Sequence, residues 1–383
     1  MQALGKLTDF PAADKSTYLN AASVALMYGA AEKAITAWQK DLAEFGTINF
    51  NEQAEQNVFN ELHVAFARLM AAQPQDIAVG SSATEMLASL AWAIAPESKS
   101  NIVSTDIVFP STVYPWARVA RHTKAEIRLL KGVNAYADQE ALLRLIDDKT
   151  SVVCISHVEY GSGQRYDLER LAEATHAHNA LLVIDATQSA GAVPINAPSS
   201  GIDALVTAGY KWLCGPFGVA VMYLAPHLHT RLDPGLVGFR SNKNIWNLQA
   251  DQVDFPDNAS RFEFSTMAYG CALGLTESIN YLLEIGVEQI LNHNLKLADL
   301  LLEGLEAMQA EILSPRSHAE RTSIVSARFP SKNSTDIVKG LAEAGIVVSP
   351  RRDFVRFSPH LYNNGNDLLP DSPKIRVVLL TAS

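Results

Sequence analysis

Leu181-Leu182-Val183-Ile184-Asp185-Ala186-Thr187-Gln188 is the stretch on which the fold turns, read with Thr207-Ala208-Gly209-Tyr210-Lys211-Trp212-Leu213-Cys214-Gly215-Pro216 beyond it. Four consecutive aliphatic residues without polar alternation read as a strand buried on both faces, the habit of a parallel sheet. That run ends in an acid, Asp185, with Gln188 shortly after it, and a second hydrophobic run over residues 202–206 leads to Lys211. In open α/β sheets ligands bind beyond the carboxyl ends of the strands, so an acid and an amine at two such ends are placed for chemistry. Neither residue is specific alone. An acid closing a strand is often a helix cap, and a lysine after a strand usually faces solvent. The pairing is what carries weight.

Working outward, residues 64–225 alternate helical and β-rich patterns. Helical periodicity covers residues 58–70, 84–95, 138–145 and 168–178. Between these lie short β-rich runs at 102–104, 126–130, 151–155, 180–184, 204–207 and 219–224. Such alternation predicts crossover units and a mostly parallel sheet with helices on both faces. Further on, Leu297, Leu300, Leu301 and Leu305 mark an amphipathic helix over 292–312. A strand at 323–329, a helix near 335–344 and a strand at 346–349 make a second α/β unit. A chain of 383 residues is long for one core. The expected division is a large domain at 15–255 and a small C-terminal domain at 256–383, with residues 1–14 packing on the latter. Residues 368–383 show no clear helical period.

The bulk composition excludes several classes. Hydrophobic residues make up 48% and charged residues 19%, with no biased stretch, as in an ordinary soluble globular enzyme. A net charge of −10 argues against nucleic acid or an anionic membrane as the main partner. It leaves small anionic substrates open, since a local pocket can be positive inside an acidic protein. Lys6, Asp9 and Asp14 interrupt the N-terminus, so no signal peptide is expected, and the apolar run 86–95 is too short to span a bilayer. Cys154, Cys214 and Cys271 are scattered without metal-ligand spacing, which suits a reduced, cytoplasmic protein. His176 with His178 and His227 with His229 have a spacing that points side chains apart on a helix, so no metal is expected. Gly161-Ser162-Gly163 lacks the third glycine of a dinucleotide loop.

Ile184-Asp185-Ala186-Thr187-Gln188-Ser189-Ala190-Gly191, followed by Tyr210-Lys211-Trp212-Leu213-Cys214-Gly215-Pro216-Phe217-Gly218, resembles the cofactor core of the class V aminotransferase superfamily. That superfamily includes cysteine desulfurases, kynureninases and isopenicillin-N-epimerase-like proteins. The resemblance runs from Tyr18-Leu19-Asn20-Ala21-Ala22-Ser23 to Tyr362-Asn363. It implies the α/β fold type I of transferases dependent on pyridoxal 5'-phosphate (PLP): a large domain with a mostly parallel seven-stranded sheet, plus a small C-terminal α/β domain. In that scheme Lys211 holds the cofactor as a Schiff base and moves the substrate Cα proton. Asp185 keeps the pyridine nitrogen protonated, so that the ring accepts carbanion charge.

Other residues follow position by position. Ser82, Ala83 and Thr84 resemble the phosphate loop, and a helix N-terminus with small polar residues is a ready anion site. Taken alone they would read as a helix cap. Gln188 resembles the residue that bonds the cofactor's phenolic oxygen, and Phe109 the aromatic stacked on the ring. Tyr210 and Thr207 join the cofactor set, Thr207 because the serine that many relatives carry three residues before the lysine is Ala208 here. Thr266 resembles the threonine that reaches the neighbouring subunit's phosphate, implying a homodimer with a shared active site. Arg356, between apolar neighbours, resembles the arginine that clamps the substrate α-carboxylate, a task suited to the guanidinium fork. Asn20, Ala22 and Tyr160 are the candidate substrate contacts.

The implied activity is that of an enzyme acting on an α-amino acid or related amine. Amino transfer is preferred, with carbon–sulfur or β-lyase and epimerase chemistry as alternatives on the same scaffold. A non-catalytic PLP-fold binding protein is disfavoured, because binding alone needs no acid at the ring nitrogen. A persulfide-forming cysteine desulfurase is not expected either. Such relatives carry their nucleophilic cysteine shortly before the carboxylate-binding arginine, and residues 344–357 contain none.

Overall fold

The structure, a computed structural model, describes residues 1–330 and 332–368, so all but the first residue of 368–383 falls outside it. Seven strands form the central sheet, in the order Ile77–Gly80, Ala220–Leu224, Ala204–Ala208, Leu181–Asp185, Thr150–Ser156, Asn101–Thr105, Glu126–Leu130. Ala220–Leu224 runs antiparallel to both its neighbours, and the other pairings are parallel. The strands that read as continuous aliphatic runs are the buried ones: every residue of Ala204–Ala208 is buried. The edge strand Glu126–Leu130 instead exposes residues along its length, and its Glu126 and Arg128 are charged, as a solvated edge requires.

Helices cover both faces. Ala83–Ile94 and Pro110–Thr123 pack on one side over Met86, Leu87, Trp116 and Met222. Asn60–Met70, Leu168–His176 and Tyr269–Ile285 close the other over Phe66, Leu171, Leu205 and Leu275. The helix Pro110–Thr123 was not legible from periodicity, because it starts on one proline and carries Pro115 inside. The strand Ile77–Gly80 and the helix Gly29–Phe45 were likewise outside the sequence reading, whereas the helix expected to open at Cys271 is present as Tyr269–Ile285.

A second sheet has four antiparallel strands in the order Ser349–Arg351, Phe354–Phe357, Val325–Arg328, Glu311–Ile312. The helices Val287–Ala307 and Ser334–Glu343 pack on it around a core of its own that includes Leu297, Leu301, Val325 and Phe357. The strand expected over 346–349 divides here. Ile346–Val347 pairs with Thr17–Tyr18 near the N-terminus, while Ser349 opens an edge strand of the four-stranded sheet. The long helix expected at 292–312 starts earlier, after Gly286 with φ of 91°, and stops at Ala307. Its last predicted residues, Glu311–Ile312, are a strand. Near the N-terminus, the N–H groups of Leu4 and Gly5 both donate to the Leu361 carbonyl at 2.9 Å. Among the described residues no helix is long and apolar enough to cross a membrane.

Candidate active site

Asp185 is the last residue of its strand, in register with Ser156 on one side and Val206 on the other. Its carboxylate is held from two directions. Thr112 Oγ1 donates to Oδ2 at 2.9 Å, and the Thr187 N–H donates to Oδ1 at 3.0 Å. Each oxygen keeps a further lone pair. One strand over, the turn after Ala208 is closed by the Gly215 N–H on the Gly209 carbonyl at 2.9 Å and the Cys214 N–H on the Lys211 carbonyl at 2.8 Å. This turn carries Lys211, whose Nζ lies 5.4 Å from the centre of the Phe109 ring and 5.8 Å from that of Tyr210.

Burial pulls the Lys211 ammonium down to about 8. Asp185 opposes that shift, while Arg356 and Arg351 add to it by like-charge repulsion. A buried amine so poised is partly neutral near neutral pH, the form that attacks a carbonyl.

Gln188 is oriented at both ends of its amide. Its Nε2 donates to the Ala22 carbonyl at 2.9 Å, and its Oε1 accepts from Trp212 Nε1 at 2.7 Å. One N–H of that amide is left over. The chain then turns at Gly191, whose φ of 87° puts any Cβ about 2.7 Å from the Trp212 carbonyl oxygen. Ser82 is the N-cap of Ala83–Ile94, its Oγ accepting from the Glu85 N–H at 3.2 Å. Thr84 Oγ1 donates to Ser111 Oγ at 2.8 Å. Among the described residues, the first-turn N–H groups of Ala83 and Thr84 have no acceptor in the chain.

One cavity brings together Ser82, Ala83, Thr84, Phe109, Tyr160, Asp185, Gln188, Tyr210 and Lys211. It adds Ser111, Ser156, Thr187 and Ala208, to which the sequence reading gave no role. Thr187 Oγ1 is buried there without a partner. Thr187 lies inside the Asp185 motif, so its position was available from sequence. Thr112 was not, because the sequence does not show that a helix starting at Pro110 meets the end of a strand far along the chain.

The remaining candidates sit elsewhere. Thr207 is buried and is not in the lining; its hydroxyl faces the Ala186 and Ala208 carbonyls at 3.5 and 3.4 Å. Asn20 accepts from Ser349 Oγ at 2.8 Å, and Ala22 enters through its carbonyl on Gln188. Thr266 is exposed in a separate, largely apolar cavity with Trp38 and Leu42. Arg356 is fully buried behind Tyr160, donating through Nη1 to the Tyr160 carbonyl at 2.8 Å and through Nη2 to Ser23 Oγ at 2.6 Å. Its Nε has no partner. Burial first, and then the neighbouring Arg351, lower the Arg356 guanidinium to about 9.

The family model for aminotransferase class-V matches residues 26–350. The chain belongs to this family. Among relatives of this class-V protein, the uncharacterized aminotransferase YcbU of Bacillus subtilis is 27% identical over 362 residues, spanning 94% of this chain and 93% of that one. A probable cysteine desulfurase of Pyrococcus abyssi is 26% identical over 310 residues, 79% of this chain and 75% of its own. The solved complex between the cystine C-S lyase C-DES and its product cysteine persulfide superposes with a TM-score of 0.85 at 23% identity, covering 97% of this chain and 98% of that one. This likeness shows the shared fold type I.

The cofactor of the family is PLP, which a further C-DES structure carries in covalent linkage with glycine. The cavity fits it. It offers a buried amine of lowered pKa, a buried carboxylate with acceptor positions to spare, and a helix N-terminus whose first N–H groups are free for an anion.

Proposed function

We propose that this class-V enzyme acts on an α-amino acid through Lys211, with amino transfer as the preferred outcome. The observation that carries the reading is a buried Lys211 amine in one cavity with Asp185 and the Ser82–Thr84 turn. When bound, PLP supplies an electron sink for charge that develops at the substrate Cα. Lys211 Nζ would hold the cofactor and would move the proton at the substrate Cα. Asp185, steadied by Thr112 and Thr187, keeps a proton on the ring nitrogen. The Ala83 and Thr84 amides would hold the phosphate, Gln188 would donate to the phenolic oxygen, and Phe109 and Tyr210 would contact the ring. Arg356 takes the α-carboxylate, with Asn20, Ala22 and Tyr160 shaping the pocket beside it.

A homodimer belongs to the proposal. Phe109, Tyr114 and Phe217 are exposed, and so is Thr266. A second copy would cover these aromatics and bring its Thr266 to the phosphate. Two separate cores favour a large and a small domain, but not the expected bounds of 15–255 and 256–383. Phe10 and the helix Tyr269–Ile285 pack in the large core, which puts residues 1–14 on the large side, while the small core gathers Leu19 with residues from Leu297 onward.

Carbon–sulfur or β-lyase activity is the second reading, favoured over persulfide transfer by the state of the thiols. Burial raises the pKa of Cys154, Cys214 and Cys271 alike, and no cysteine lies in residues 344–357. A persulfide needs a thiolate nucleophile, whereas elimination needs only Lys211 and the cofactor. The test is a panel of amino acids followed by the cofactor's visible spectrum and product analysis, with borohydride fixing the cofactor to its peptide. Attachment to the Lys211 peptide and, among the products, a 2-oxo acid that keeps the substrate's side chain are expected. An adduct on another lysine would end the reading.

A further inference from the structure

Arg356 has a charged companion that one α-carboxylate leaves unanswered. Arg351 and Arg356 lie on paired strands, with Ser349 opposite Arg356 and Arg351 opposite Phe354. Both guanidiniums donate to the same oxygen, Arg356 Nη2 at 2.6 Å and Arg351 Nη2 at 2.9 Å from Ser23 Oγ. A hydroxyl has two lone pairs, and these two donors occupy them. The Ser23 proton is then directed at Ser349 Oγ, 3.0 Å away, which itself donates to Asn20 Oδ1 at 2.8 Å. The other contacts of the pair go to the Tyr160 and Pro350 carbonyls, both at 2.8 Å. Two cations thus converge on a neutral oxygen, and among the described residues neither has a carboxylate partner.

Beside them opens a cavity of about 280 Å³ lined by Arg351, Arg352, Tyr160 and Phe354. Tyr160 also walls the cleft that holds Lys211 and Asp185, so the two spaces adjoin. Among the described residues neither acid along this cavity pairs with Arg351, although Asp106 keeps its charge. Asp353 accepts from Arg328 Nε at 2.6 Å, and Asp106 Oδ1 accepts from the Gly132 N–H at 2.8 Å. Arg351 is half-buried, where a charge is screened less than on open surface, and it lines the cavity with no carboxylate in contact among the described residues.

We infer that this cavity is the side-chain subsite of the enzyme and that it takes an anionic group, so that the substrate is an acidic amino acid whose second carboxylate sits on Arg351. The inference rests on the proposed function, in which Arg356 receives the α-carboxylate. An amino acid with one carboxylate leaves the second guanidinium unpaired beside the first. A dicarboxylic one neutralises both.

The test is binding of two unreactive acids to the holoenzyme, glutarate and its monoacid counterpart valerate, by calorimetry. Neither has an amine, so neither reacts at the cofactor. Glutarate is expected to bind at least about tenfold tighter, the scale of a charge-assisted hydrogen bond. Arg351→Met should bring that preference to within about twofold, and Arg351→Lys, which keeps the charge, should restore part of it. Equal loss for both acids in Arg351→Met would mean that the two arginines grip one carboxylate, and would overturn the inference. So would the absence of any preference in the unmodified protein, a result that needs no variant to fold. Failure of borohydride to fix the cofactor at Lys211 would instead refute the proposed function, so the two failures are separable.

Discussion

The acid–base midpoint of Lys211 can be moved in opposite directions by its two charged neighbours. An ordinary lysine titrates near 10.5, and burial brings this one to about 8. At pH 7 a midpoint of about 8 leaves roughly a tenth of the amine neutral, against about three parts in ten thousand for an unperturbed lysine, a gain of about 300-fold. The neutral amine is the form that captures an aldehyde, so the capture rate should rise with pH through about 8 and level off above it. Asp185 favours the charged amine, so Asp185→Asn should drop the midpoint toward about 7. Arg356 disfavours it, so Arg356→Met should raise the midpoint above that of the unmodified protein. The assay is stopped-flow absorbance of PLP recapture by protein stripped of cofactor, across pH 6 to about 10. Differences between variants measured with one cofactor cancel the cofactor's own titration. A midpoint near 10.5 in the unmodified protein, or both substitutions moving it the same way, would refute the reasoning.

Three other outcomes are expected. Thr112→Val removes the side-chain donor on Asp185 Oδ2, and should lower turnover roughly tenfold while shifting the pH at which the cofactor's absorbance changes. A merely structural role would leave that spectral midpoint in place. Gly191→Ala sets a Cβ against the Trp212 carbonyl at a φ of 87° and should destabilise the protein by more than about 1 kcal/mol, read as a fall in the urea midpoint. Sedimentation should show a homodimer, in which Thr266→Val weakens PLP binding about tenfold. A fully active monomer at micromolar concentration would exclude the shared site.

The sheet was legible because its strands are buried on both faces. Leu181–Asp185 and Ala204–Ala208 announce themselves as unbroken apolar runs, and their carboxyl ends carry the acid and, past a short turn, the amine. The edges of the fold were less legible. Ile77–Gly80 is only four residues long, and its single reversed neighbour cannot be told from a parallel strand by composition. Local signals also left the second contacts of each site residue unread. Ser82 does cap its helix, as the plain reading of those residues had it. But Thr112 on Asp185, Trp212 on Gln188 and Ser23 on Arg356 are pairings across the fold, fixed by how helices and loops dock rather than by spacing. Arg351 passed unmarked for the same reason. In sequence it is one of several charged residues in a turn, and only the strand register puts it beside Arg356.

That register also resolves an apparent conflict between the chain's charge and its chemistry. A net charge of −10 would seem to repel an amino acid with two carboxylates. Fields from exposed surface charges fade within about 10 Å at ordinary ionic strength, whereas the groups that line this cleft are buried or half-buried. There the balance is reversed: Lys211, Arg351 and Arg356 lie together and influence one another's protonation, with Asp185 as the acid that opposes Lys211. Glu159 does not offset them. It is fully buried, and burial raises its pKa to about 8, so it is mostly neutral at pH 7. Its Oε1 serves Tyr166 and Thr105 as a hydrogen-bond acceptor in that state. Should the pH rise through about 8, Glu159 would gain a negative charge as Lys211 loses its positive one. Both changes weaken the pull on an anionic substrate. In the cofactor-free protein, where Lys211 is a free amine, the cleft is therefore expected to bind a dicarboxylate best on the acid side of that midpoint, even though Lys211 itself captures an aldehyde fastest on the basic side, so binding and capture should have opposite pH dependences there.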